Sequence, residues 1–103
     1  MPLPRIQSLL LPVLRLVARE SGCLVEEIRL GVKTEFDLTD DQITQTHSKS
    51  GQNVFVNRVA WALANLVMGK AISLKRIGWY EATELGMKIL QGNPAGLTIK
   101  DLH

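Results

Sequence analysis

A mainly helical α+β fold, with about five helices and a short two- or three-stranded sheet, follows from three features of the sequence. Apolar residues recur at helical spacing in several separate stretches. Residues 72–82 read as two short strands about a glycine turn. All ten Asp and Glu lie outside residues 42–80, so the longest of these helices and the strand and turn after it carry cations and no acid.

In chain order, the first helix is expected over residues 8–20, with Ile6, Leu10, Val13, Leu14 and Val17 on its buried face. Pro12 is placed near its first turn, where a missing N–H does least harm. Leu9 and Leu16 fall outside that stripe, free to pack under another element or against a partner. Ser21-Gly22 ends the helix, and Cys23-Leu24 is short enough to be an edge strand. A second helix is expected over residues 25–36 with Val25, Ile28, Val32 and Phe36 inward. Thr39 then opens a short third helix as its N-cap, with Asp40 and Asp41 in the first turn and Gln42 at the capping-box position. A polar loop covers residues 47–51.

The fourth helix, residues 52–69, carries an apolar stripe of Phe55, Val59, Ala62, Leu63 and Leu66. At about 100° per residue the opposite face holds Asn53, Asn57, Ala60, Ala64 and Met68, flanked by Arg58, Trp61 and Asn65. Gly69 is its expected stop. Residues 72–74 form a strand, the basic turn 75–78 follows, and residues 79–82 return as the second strand. Alternation places Tyr80 and Ala82 inward, Trp79 and Glu81 outward. Thr83 caps a last helix over residues 84–91 with Leu85 and Ile89 inward. Helices, a hairpin and a further helix in this sequence are the order of a winged helix-turn-helix. Residues 1–92 form this domain, and 93–103 read as a linker toward a further, C-terminal domain.

The charge segregation points to a polyanion. Residues 49–76 hold Lys49, Arg58, Lys70, Lys75 and Arg76 and no acid, although the net charge of the whole chain is only +2. Small and amide side chains let a helix approach a groove floor; Asn pairs bidentately with adenine, and Arg with guanine or a phosphate. The expected contact set for double-stranded DNA is Lys49, Ser50, Gln52, Asn53, Asn57, Arg58, Trp61, Lys75, Arg76 and Trp79. In it the fourth helix enters a groove and the 75–78 turn lies on phosphate. Lys49 and Gln52 stand at the helix N-terminus, where free N–H groups favour an anion. Trp79, pointing outward, suits base stacking or a protein interface.

With 103 residues, 46% of them apolar and 5% aromatic, the chain has the composition of one globular domain. A lone cysteine, Cys23, excludes an internal disulfide and suits a reducing compartment. The apolar run at residues 9–18 is broken by Arg15, and no stretch reaches the roughly 20 apolar residues of a membrane span. A soluble, cytoplasmic protein is expected. Catalytic chemistry is missing from the sequence. Glu27-Ile28-Arg29 is its nearest approach to a nuclease Asp/Glu-x-Lys arrangement, with Arg in place of Lys. His47 and His103 are far apart and no zinc spacing occurs. No Gly-rich phosphate loop, metal site or cofactor site is expected, and the chain is not expected to be an enzyme.

Three segments resemble the N-terminal domain of Mrr-type restriction endonucleases, the type IV, modification-dependent class. They are Leu11-Pro12-Val13-Leu14-Arg15 in the first helix; Ser50-Gly51-Gln52 with Phe55, Asn57-Arg58 and Trp61-Ala62 in the fourth; and Tyr80 with Thr83 and Gly86 at the end. The likeness covers about residues 3–90. It implies a winged helix that delivers a C-terminal, magnesium-dependent nuclease domain to DNA, often DNA with modified bases. The family tends toward Lys-x-Ala-Gly-Leu at the end of the fourth helix, where this chain has Val67, Met68, Gly69, Lys70, Ala71 and Ile72. Two further readings share the fold: a protein-interaction or homodimerisation module acting through Leu9, Leu16, Met68 and Trp79, and a stand-alone transcription regulator.

Overall fold

The computed structural model describes residues 3–19, 21–92 and 94–102; expectations for Met1, Pro2, Glu20, Asn93 and His103 lie outside them. The elements run α1 (Ile6–Arg19), β1 (Cys23–Leu24), α2 (Val25–Glu35), α3 (Asp40–Ile43), α4 (Val54–Met68), β2 (Ile72–Arg76), β3 (Trp79–Ala82) and α5 (Glu84–Gln91), followed by a 3-10 turn at Ile99–Leu102. The three strands form an antiparallel sheet in the order β1-β3-β2. Five helices with this small sheet make an α+β fold compatible with a winged helix. No helix of the described residues is long and apolar enough to cross a membrane.

The core lies between α1 and α4. Leu10, Val13, Leu14 and Val17 of α1 are fully buried, as are Val59, Ala62 and Leu66 of α4, and Ile28 and Val32 of α2 join them. Each of the Leu, Val and Ile side chains among them contributes about 1.5–3 kcal/mol by leaving water. Leu9, off the main stripe, is buried as well, so α1 is covered on more than one side. Leu16 is half-buried against Gly31 of α2, whose missing Cβ makes room for the leucine methyls. Because α1 begins at Ile6, Pro12 sits in its second turn rather than its first. The missing N–H removes the usual helical donor to the carbonyl of Ser8, an exposed residue.

Local chemistry sets the caps. Thr39 accepts from the Gln42 N–H at 3.1 Å while Gln42 Oε1 accepts from the Thr39 N–H at 2.8 Å, a reciprocal capping box. Thr83 accepts from the Gly86 N–H at 3.1 Å and donates its hydroxyl to the carbonyls of Lys70 and Ala71. This pins the start of α5 to the end of α4. Gly86 then lets α5 approach the Ala71 carbonyl more closely than any Cβ would allow. That contact sets the phase of α5: Gly86 is buried and Ile89 and Leu90 are half-buried against the core, while Leu85, expected inward, is 46% exposed.

Gly69 ends α4 as expected, without itself taking the left-handed conformation. Its φ is −79°, and the left-handed residue is Lys70 at 62°. The Ala71 N–H bonds the Leu66 carbonyl at 2.9 Å and the Lys70 N–H the Val67 carbonyl at 3.0 Å, a Schellman closure. Glycine is needed at 69 because Leu102 packs onto it, its Cβ and carbonyl lying where a side chain would be. Residues 97–102, read from sequence as part of a linker, place Leu97 and Leu102 in the core, Leu102 against α4.

Candidate nucleic-acid interface

The segment 46–53 is a closed loop. Thr46 bridges Asn53, the His47 N–H donates to the Gln52 carbonyl at 2.8 Å, and the Gly51 N–H to the His47 carbonyl at 2.9 Å. Lys49, Ser50 and Gln52 are all exposed on it. α4 starts at Val54, two residues later than its pattern suggests, because Asn53 is the cap. Its Oδ1 accepts from the Val56 N–H and its Nδ2 donates to the Ile43 carbonyl, both at 2.8 Å. The Val54 N–H is taken by the Gln45 carbonyl. The helix N-terminus expected to offer free N–H groups is thus largely closed by the chain itself, and Asn53 holds α3 to α4 instead of facing outward.

Farther along α4, Ala60, Trp61, Ala64 and Met68 are exposed and Asn57 is half-buried. Trp61 is 51% and Met68 57% exposed. No cation stands on this face. Arg58, on its flank, donates from Nη1 to the carbonyls of Leu3 at 2.9 Å and Pro4 at 3.1 Å. Asn65 is buried and donates to the Trp61 carbonyl.

The hairpin gathers the other predicted residues. β2 extends to Arg76, farther than expected, and pairs with β3 as Leu74↔Tyr80 and Arg76↔Trp79. Lys75 is the extra residue of the bulge between these pairs, a device that twists a strand and re-aims side chains. Ile77 and Gly78 form the turn, with Gly78 at φ 74°, a value glycine adopts at no steric cost. The Arg76 guanidinium lies 4.8 Å from the centre of the Trp79 ring. Trp79, expected outward, is half-buried: its ring covers the backbone of Gly22, and Nε1 donates to Glu81 Oε2 at 2.9 Å. Tyr80 and Ala82 turn to the core as expected.

Lys49, Lys70, Lys75 and Arg76 are exposed, and none pairs with an acid among the described residues, whose ion pairs are Lys33–Asp40 and Lys88–Glu84. The charge gap in sequence is narrower in space. The Val25 N–H donates to the Gly78 carbonyl at 2.8 Å, which brings the first turn of α2, with Glu26 and Glu27, beside the hairpin tip. Glu27 is occupied as an acceptor for the Leu24 N–H; Glu26 is exposed. Three features of this site escape pattern reading: the left-handed Lys70, the acid beside the turn, and the tip residue Ile77, which is 99% exposed.

These features define a small α+β domain with unpaired cations on its hairpin and around its longest helix. The family described as Mrr N-terminal domain matches residues 7–92, most of the chain, and the protein belongs to that family. It is a non-catalytic N-terminal domain associated with restriction systems. No curated protein and no solved structure was found to match the chain significantly.

Proposed function

We propose that this domain binds double-stranded DNA, with α4 directed at a groove and the hairpin turn 75–78 on the phosphate backbone, and that it serves a Mrr-like restriction endonuclease in the cytoplasm. The observation that carries this reading is the set of exposed, unneutralised cations Lys49, Lys70, Lys75 and Arg76 around one helix and its hairpin. Phosphate neutralisation by such groups releases counterions, which drives sequence-independent affinity. Asn57 and the small side chains of α4 would then meet base edges. A magnesium-dependent nuclease domain beyond residue 103 and a preference for modified bases complete the proposal. Duplex binding measured against salt tests it: a log–log slope of about −0.9 per neutralised phosphate is expected. K75A/R76A should bind more weakly with a shallower slope, and affinity indifferent to salt would refute the assignment.

A second reading, homodimerisation, draws on the neutral exposed stripe of Ala60, Trp61, Ala64 and Met68. Of the residues first considered for it, Leu9 is in the core and Trp79 half-covered, so Met68 and Trp61 would carry it. Sedimentation of wild type and M68D separates the two: a dimer lost on M68D while duplex binding persists would assign this face to the partner copy.

A further inference from the structure

Ile77 is the most exposed large apolar side chain among the described residues. It stands at the first position of a two-residue turn whose backbone geometry, set by Gly78 at φ 74°, calls for no apolar side chain there. Leaving it in water forgoes the stabilisation that burial of an aliphatic side chain supplies. The position is nevertheless well defined. Arg76 pairs with Trp79 across the turn, and the Gly78 carbonyl is held by the Val25 N–H. Lys75 and Arg76 precede it directly, both exposed. A rigid tip thus presents one aliphatic side chain next to two cations.

We infer that Ile77 is a wedge that enters the minor groove of duplex DNA and partly unstacks one base step. The inference rests on the duplex-binding reading above. Apolar side chains flanked by cations act this way in minor-groove binders: the cations hold phosphate while the aliphatic group slips between bases and bends the helix. Pyrimidine–purine steps unstack most readily, so the wedge selects sites by deformability rather than by base edges. Charge complementarity commits the partner to nucleic acid.

The test compares the full chain with I77S and K75A/R76A on short duplexes carrying end-attached fluorophores and a 2-aminopurine at a central TA step. Wild type should shorten the end-to-end distance and brighten the 2-aminopurine. I77S should keep its melting temperature and salt slope, lose both signals, and bind roughly tenfold more weakly, the equivalent of one buried apolar side chain. If I77S binds, bends and brightens like wild type, the wedge is overturned while duplex binding stands. If wild type fails to bind duplex at any salt, the functional reading falls and the wedge with it. Ile77-dependent binding to phosphatidylglycerol vesicles without duplex binding would likewise overturn it.

Discussion

Arg58 and Leu3, fifty-five positions apart in sequence, are joined by a hydrogen bond of 2.9 Å from the guanidinium to the backbone carbonyl. The same Nη1 reaches Pro4. An arginine on the flank of α4 therefore anchors the segment leading into α1. R58A should lower stability by about 1–2 kcal/mol, since it removes charge-assisted bonds to two carbonyls. Thermal denaturation measures this. The change in duplex affinity should be smaller than that of K75A/R76A; a variant with wild-type stability and abolished binding would return Arg58 to the contact surface.

Trp79 is held from two sides, by the bare backbone of Gly22 beneath its ring and by Glu81 at Nε1. A Cβ at position 22 would stand 2.7 Å from that nitrogen, so G22A must push the ring away. The expected cost is about 1–3 kcal/mol, as for other overpacked sites. Tryptophan emission should shift toward the red as the ring meets water. Unchanged emission and melting would mean that the ring does not lie on Gly22 in solution.

Much of this was legible in the sequence. Thr39 and Thr83 were readable as caps because their partners lie three residues away, and the start of β3 because the glycine turn fixes it. What remained hidden depends on distant pairs. The first helical residue of α4 moves to Val54 because Asn53 bonds back to Ile43. Leu85 turns outward because Gly86 sits on Ala71, in another element. Arg58 reads as a groove residue because nothing local announces that its acceptors lie more than fifty positions away, at Leu3 and Pro4. The acid-free run of residues 42–80 is real in sequence, yet the fold brings Glu26 to its edge through the bond between Val25 and Gly78.

Lys70 occupies a left-handed conformation, φ 62°, at the Schellman position where glycine is favoured. An L-residue there costs about 1–2 kcal/mol, partly offset in K70G by glycine's greater unfolded-state freedom. K70G should therefore be more stable by about 0.5–1 kcal/mol. If Lys70 meets phosphate, the same variant should have a salt slope shallower by about 0.9. Denaturant melts and salt titrations on one protein check both.

Lys33 Nζ lies 2.7 Å from Asp40 Oδ1, and this hydrogen bond, then the attraction of the two charges, holds the Asp40 carboxyl below its ordinary value of 3.8. Because the folded-state pKa is depressed, the contribution is present above the unfolded value and lost as pH falls through the folded one. An NMR titration should place the Asp40 midpoint below 3.8 in wild type and return it toward 3.8 in K33A. Identical midpoints in the two proteins would mean that the pair is not formed in solution.

Glu26 gives the sharpest check on where DNA lies. It sits in the first turn of α2, where the helix dipole favours an acid, so E26Q should cost a few tenths of a kcal/mol in stability. A phosphate on the hairpin tip would feel the opposite effect. A like charge some 8 Å away across water contributes about 0.5 kcal/mol of repulsion. Removing it should tighten duplex binding roughly twofold at low salt, with the gain fading as ions screen it. Glu35, at the far end of the same helix, is the control, and E35Q should leave affinity alone. Equal effects of E26Q and E35Q would reflect net charge alone. A loss of affinity in E26Q at constant stability would mean that the hairpin tip faces something other than a phosphate backbone.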